Sequence, residues 1–224
     1  MSKYIVIGDS ITKGIVYNSK TNRLEPLKES FINLVNESGK SVINHSVFGA
    51  TINKGLSLFN RFKKEINAGD YLVLEFGGND CNFNWKEISD DPESEHLPNT
   101  PIENFVLAYK SIIEQAKSLG AKPILLNLPP LHAPAFFKTI TRGNCVSTIK
   151  DWLGDIYHVY RWQELYSLAV ERIAMETDAR LIDLRSTLLK RHRLEEVICE
   201  DGMHPNKTGH QLLATTFLEA FKND

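Results

Sequence analysis

A chain of 224 residues is long enough for one substantial α/β core and short enough to need only one. The hydrophobic share of 42% and charged share of 24% are those of an ordinary globular protein and argue against a disordered polypeptide. A formal net charge of -2 creates no field that would recruit nucleic acid or a membrane surface, so partners must be argued from the site.

In chain order, MSKYIVIGDS carries only a short apolar run before Gly8 and Asp9, well below a signal-peptide core or a spanning helix. Cys81, Cys145 and Cys199 are odd in number and widely spaced, which fits neither a disulfide framework nor a zinc pattern. Together these features predict a cytoplasmic protein with reduced thiols. Five brief, nearly continuous apolar runs read as buried parallel strands: Lys3 to Ile7, Ser41 to Asn44, Tyr71 to Phe76, Pro123 to Asn127 and Arg180 to Ile182.

Helical periods lie between them. Ile102, Phe105, Val106, Tyr109, Ile112, Ile113 and Ala116 recur at intervals of three and four, and a second stripe runs through Ile52, Leu56, Phe59 and Ile66 to a stop at Gly69. A third stripe, Leu165, Leu168, Ala169 and Ile173, precedes the last strand, and a final helix carries Leu212, Leu213, Phe217 and Phe221. This alternation predicts a single domain over residues 1–224: a three-layer α/β/α sandwich around a central five-stranded parallel sheet, of flavodoxin-like type.

Two stretches break the alternation. The acidic, proline-bearing Ile88 to Pro101 reads as a solvated loop. Leu131 to Arg161 separates the fourth strand from its helix by far more than a usual connection, and such an insertion is expected to fold locally as a lid or pocket wall.

In open α/β sheets ligands bind beyond the carboxyl ends of the strands. After the first strand, Gly8-Asp9-Ser10 presents a serine that is weakly nucleophilic until a base takes its proton. Near the C-terminus, Asp201-Gly202-Met203-His204-Pro205 sets a carboxylate three residues before an imidazole, so the acid can accept from Nδ1 and leave Nε2 facing a nucleophile. Gly77-Gly78-Asn79-Asp80 offers a side-chain amide, and Gly49 in HSVFGAT an unobstructed backbone N–H, as donors to an oxyanion.

The four segments GDSIT, NHSVFGAT, FGGND and DGMHPN occur in the order of the SGNH (GDSL-like) hydrolase family, which this chain resembles over residues 4–206. The resemblance implies a serine esterase: Ser10 the nucleophile, His204 the general acid/base, Asp201 its orienting acid, with Ser10, Gly49 and Asn79 forming the oxyanion hole. It implies no cofactor and no metal, and as partner a small-molecule or carbohydrate ester, short acyl or acetyl. Nucleic acid and membrane are not expected, and a homo-oligomer is left open. The glycine block departs from the family's commoner form by placing Ala50 where a polar residue often follows.

Other residues have plainer readings. Asp9 is expected to stabilise the turn, Asp80 to tie down the Asn79 loop or cap the next segment, and Cys81 to pack inertly. None of the remaining histidines pairs with zinc-motif spacing, although His45 precedes a site loop and is expected to line the pocket. Trp85 and Trp152 are candidates for an aromatic substrate wall. Two alternatives to hydrolysis stand: acyl transfer by the same triad, and a non-enzymatic flavodoxin-like binding module. A nucleotide-binding Rossmann domain is set aside because no G-x-G-x-x-G turn follows the first strand.

Overall fold

A computed structural model of the chain describes residues 2–222. The chain runs β1 (Tyr4–Gly8), α1 (Ser10–Lys13), β2 (Ile15–Asn18), β3 (Arg23–Pro26), α2 (Phe31–Glu37), β4 (Val42–Asn44) and α3 (Ile52–Phe62). It continues through β5 (Tyr71–Glu75), α4 (Trp85–Asp90), α5 (Ile102–Ser118), β6 (Lys122–Leu126), α6 (Ala133–Ile140) and α7 (Val146–Leu153). The remainder is α8 (His158–Glu176), β7 (Arg180–Ile182), α9 (Leu184–Leu189) and α10 (Lys207–Glu219).

The main sheet has five parallel strands in the order β4-β1-β5-β6-β7. Each of the five apolar runs became one of these strands, with ends shifted by no more than a residue or two. Because side chains alternate along a strand, the sheet carries two separate cores. Ile5, Ile7, Leu72, Leu74 and Leu125 face α3, α5 and α8, whereas Tyr4, Val6, Val73, Ile124 and Leu126 face α2, α9 and α10. Helix α5 buries Phe105, Tyr109, Ile112 and Ile113 completely, each worth roughly 2 kcal/mol of transfer free energy.

The chain leaves β1 for β4 on one side and then crosses over to β5 on the other, so a topological switch point lies between β1 and β5. Ser10 and Asn79 follow the carboxyl ends of these two strands and therefore share that crevice.

Four expectations change. The stretch Ile88 to Pro101 is not wholly a loop: α4 covers its first residues, because Asn84 caps the helix and Ile88 is fully buried against the insertion. The stripe on α8 is rotated. Leu165 and Leu168 are exposed, and the buried face runs through Val159, Tyr166, Ala169, Val170 and Ile173, where Tyr166 reaches the Thr100 carbonyl at 2.7 Å. The antiparallel hairpin β2–β3 has no counterpart in the expected elements; its strands are short and only half-buried or exposed, so they carry little hydrophobic period. The helix from Ile52 stops at Phe62, and Ile66 joins the core from the turn beyond it.

The insertion of residues 131–161 folds into α6, α7 and the start of α8. It buries Phe136, Ile140, Ile149, Leu153 and Val159 in a third apolar cluster, against which Phe83, Trp85, Trp152 and Met203 pack. Among the described residues, no helix is long and apolar enough to cross a membrane.

Candidate active site

Ser10 opens α1, a single turn held at both ends. Asp9 caps it by accepting the Ile11 N–H at 2.8 Å, and Gly14 closes it with φ of +81°. This is the turn-stabilising part expected of Asp9. The cap holds Ser10 at the strand end, and its backbone N–H donates to no group among the described residues.

The loop before α10 brings the imidazole to that serine. His204 Nε2 lies 2.9 Å from Ser10 Oγ, and His204 Nδ1 lies 2.6 Å from Asp201 Oδ2. The other oxygen of Asp201 accepts the backbone N–H groups of Met203 and His204, each at 3.1 Å, so the three-residue spacing closes into one rigid turn. Ser10, Asp201 and His204 are all buried. Burial alone would push the Asp201 carboxyl up, but the imidazole and the two N–H donors hold it below its usual range.

Gly202 permits this turn. Its φ is +78°, and a Cβ there would stand 2.2 Å from the Phe136 nitrogen and 2.7 Å from the His132 carbonyl oxygen. The insertion is bonded to the same loop: His132 N–H donates to the Gly202 carbonyl at 2.9 Å, and the Thr139 hydroxyl to the Asp201 carbonyl at 3.0 Å.

Gly49 and Asn79, the other two expected donors, lie on two loops. Gly49 has φ of +70° and open space around it, and its N–H has no acceptor among the described residues. Asn79 Nδ2 donates to Asp9 Oδ2 at 2.9 Å and to the Ala50 carbonyl at 3.2 Å, which fixes the amide plane between the two loops. Asp80 caps α3 by accepting the Ile52 N–H at 2.9 Å, an earlier segment and not the one that follows it. Burial raises its carboxyl to about 6. Cys81 is buried, and burial pushes its thiol up, away from reactivity.

A cleft of about 200 Å³ joins Ser10, Asn79, Asp201 and His204. Its walls are Leu24 from β3, Phe48 from the glycine loop, Phe136 and Thr139 from α6, and Met203. Phe136 and Met203 also line a small apolar inner cavity of about 20 Å³, closed by Leu131, Trp85, Phe83 and Trp162.

Trp85 thus borders this inner cavity, its Nε1 donating to Asn82 at 2.7 Å. Trp152 packs edge-on against Trp85 and Phe83 and faces a separate surface groove with Pro92 and Glu93, outside the cleft. His45 also lies elsewhere: its ring stacks on Phe62 with centroids 3.7 Å apart, and its Nε2 meets Glu65 at 2.8 Å. An acidic partner and an aromatic face on α3's side of β4 outcompete the pocket for that imidazole.

Several site residues escaped the sequence reading. Leu24, Phe48, Phe136 and Met203 are apolar side chains on irregular or misassigned segments and carry no local signal. Glu75 did carry one, a carboxylate inside the apolar run YLVLEF. It is fully buried beside Asp9. Among the described residues no three His, Cys, Asp or Glu side chains converge as a metal-binding group.

A model of the GDSL-like Lipase/Acylhydrolase family matches residues 6–212. A GDSL esterase/lipase from rice (Oryza sativa subsp. japonica) is 27% identical over 154 residues, which make up 67% of this chain and 53% of the rice protein. The chain thus spans about half the length of that relative. Among solved structures, a lipase/acylhydrolase from Enterococcus faecalis aligns with a TM-score of 0.69 at 18% identity, covering 99% of this chain and 96% of the other. An acetylxylan esterase from Geobacillus stearothermophilus aligns at 0.66 and 17%, covering 100% and 95%. In that esterase, a serine-to-alanine and a histidine-to-alanine replacement are each described as a catalytic mutant. At such identities the likeness to solved structures is one of fold.

Proposed function

This chain belongs to the GDSL-like lipase/acylhydrolase family, and from that premise we propose that it is a serine esterase acting on short acyl or acetyl esters, including carbohydrate-linked ones. The observation that carries the reading is the continuous relay from Asp201 through His204 to Ser10, at 2.6 and 2.9 Å.

In this mechanism Ser10 Oγ attacks the ester carbonyl as His204 Nε2 takes its proton. Asp201 holds the ring in the tautomer with hydrogen on Nδ1 and balances the imidazolium that forms. The oxyanion is met by the unpartnered N–H groups of Ser10 and Gly49 and by Asn79 Nδ2. Asn79 has both amide hydrogens engaged, so the oxyanion must displace the longer contact, the 3.2 Å bond to the Ala50 carbonyl. His204 then returns the proton to the leaving alcohol, and water, activated by the same imidazole, releases the acid from Ser10.

The short acyl preference is supported by the narrow space of about 20 Å³ that Ser10 lines with Gly78, Leu131 and Met203, which has room for a methyl group or little more. A carbohydrate-linked alcohol is suggested by the acetylxylan esterase among the fold relatives and by Phe48, 54% exposed at the cleft mouth.

The test is turnover of chromogenic acetate and butyrate esters. Activity lost on Ser10→Ala and on His204→Ala, with the fold intact, supports the reading, and full activity in Ser10→Ala would overturn it. Product analysis with sugar acceptors present separates hydrolysis from acyl transfer, since only hydrolysis gives free acid alone.

A further inference from the structure

Directly behind Ser10 the carboxyl groups of Asp9 and Glu75 meet, both buried. Glu75 closes β5 and pairs with Gly8, the residue before Asp9, so the register of the two central strands brings the acids together. Glu75 lines the same narrow space as Ser10 and Asp9.

The hydrogen-bond inventory decides which acid is ionised. Asp9 Oδ1 accepts the Ile11 N–H and Asp9 Oδ2 the Asn79 amide, two donors that favour a carboxylate. Glu75 Oε2 is buried and receives no hydrogen bond from a donor among the described residues. Two carboxylates in contact in a low-dielectric interior repel strongly, so the pair keeps a proton.

Among the described residues no Lys or Arg pairs with either carboxyl, and the one facing group that can carry positive charge is the imidazole of His204, which acts on Asp9. The facing groups are Asp80 and Cys81 from the loop after β5, Tyr109 from α5, and His204 from across the serine. Arg185 of α9 directs its guanidinium to the Leu128 carbonyl and to Gln163.

We propose that Glu75 is a positioning residue that stays protonated at neutral pH and donates to Asp9, so that a singly charged Asp9 can hold Asn79 in place as an oxyanion donor. Its effect on turnover rests on the esterase reading; its protonation does not. Asp9 orients Asn79 through one oxygen and the Ser10 turn through the other, so a second negative charge at Glu75 would push against both. Burial raises both carboxyls, Glu75 further than Asp9.

Glu75→Gln and Glu75→Leu test this. Glutamine keeps a donor toward Asp9 without a titrating proton, so kcat should stay within about threefold of the parent. Leucine removes the donor, and kcat should fall roughly 30-fold or more with KM little changed, because the loss is of transition-state donation.

Two readouts do not depend on activity. At pH 8 the infrared difference spectrum of parent against Glu75→Gln should show the carbonyl band of a protonated carboxyl. The unfolded chain releases that proton near pH 4.3 whereas the folded one keeps it, so the folding constant of the parent relative to Glu75→Gln should fall by up to about tenfold per pH unit above that point. An absent infrared band, or a ratio of folding constants independent of pH, overturns the protonation. Unchanged kcat in a folded Glu75→Leu overturns the positioning role. If the parent hydrolyses no ester, the esterase reading fails and with it the positioning role, while the spectrum and the pH dependence still decide the protonation.

Discussion

The hydroxyl of Thr139 donates to the backbone carbonyl of Asp201 at 3.0 Å, joining the insertion to the loop that carries acid and imidazole. Insertion and relay therefore form one packed unit, and changes in either are felt by the other.

Gly202 is where that unit is tightest. Gly202→Ala combines a left-handed backbone with a clash against the backbone of α6, and it should destabilise the fold by roughly 3 kcal/mol. At about 2 to 4 °C per kcal/mol the melting temperature should fall by about 6 to 12 °C. Gly49→Ala has a similar φ but open space, so it should cost only about 1 kcal/mol. Thermal denaturation of the two variants side by side checks the contrast.

On the proposed mechanism Asn79 is one of three oxyanion donors, so Asn79→Ala should lower kcat about 100- to 1,000-fold. Because Asn79 also bridges Asp9 and the Ala50 carbonyl, a modest loss of stability should accompany the kinetic one, measurable by urea denaturation.

Asp201→Asn should lower kcat by up to about four orders of magnitude by removing the charge that fixes the tautomer of His204. It also reports on stability. The Asp201 carboxyl is held below its unfolded value, so its contribution is present above the unfolded pKa near 3.9 and is lost as pH falls through the folded value. Urea midpoints of parent and variant should accordingly converge on going from pH 7 to pH 3.

Met203 borders the cleft, the inner cavity and the space beneath Ser10. Met203→Ala should merge them, raising the ratio of kcat/KM for hexanoate over acetate esters about tenfold. An unchanged ratio would assign the acyl group to the Leu24 and Phe48 side of the cleft.

How far the sequence foretold this molecule depended on the kind of signal each part carries. The five sheet strands are short apolar runs bounded by turns, and α5 repeats its apolar residues over four turns, so both were legible. Ser10, Gly49, Asn79, Asp201 and His204 each sit in a short segment whose residue types suit one chemistry, which makes them legible in the sequence alone. Leu24, Phe136 and Met203 have no such signature: their importance comes from long-range packing of the hairpin and the insertion. His45 misled because adjacency in sequence to a site loop says nothing about direction, and Phe62 with Glu65 supplied a competing partner. On α8, two leucines at helical spacing drew attention from Tyr166, whose hydroxyl needs a buried acceptor and finds one at Thr100.

The apolar walls of the cleft and its polar groups belong to different parts of the chain. Ser10 and Asn79 follow strands of the main sheet and His204 precedes α10, whereas Leu24 comes from a two-stranded hairpin outside the main sheet and Phe136 from an inserted helix. On the proposed esterase reading, lengthening or trimming the tip of the hairpin should therefore redraw the range of accepted esters without shifting Ser10. The inserted helix offers no such freedom, because His132 and Thr139 moor it to the acid, and any revision of that wall has to preserve the mooring.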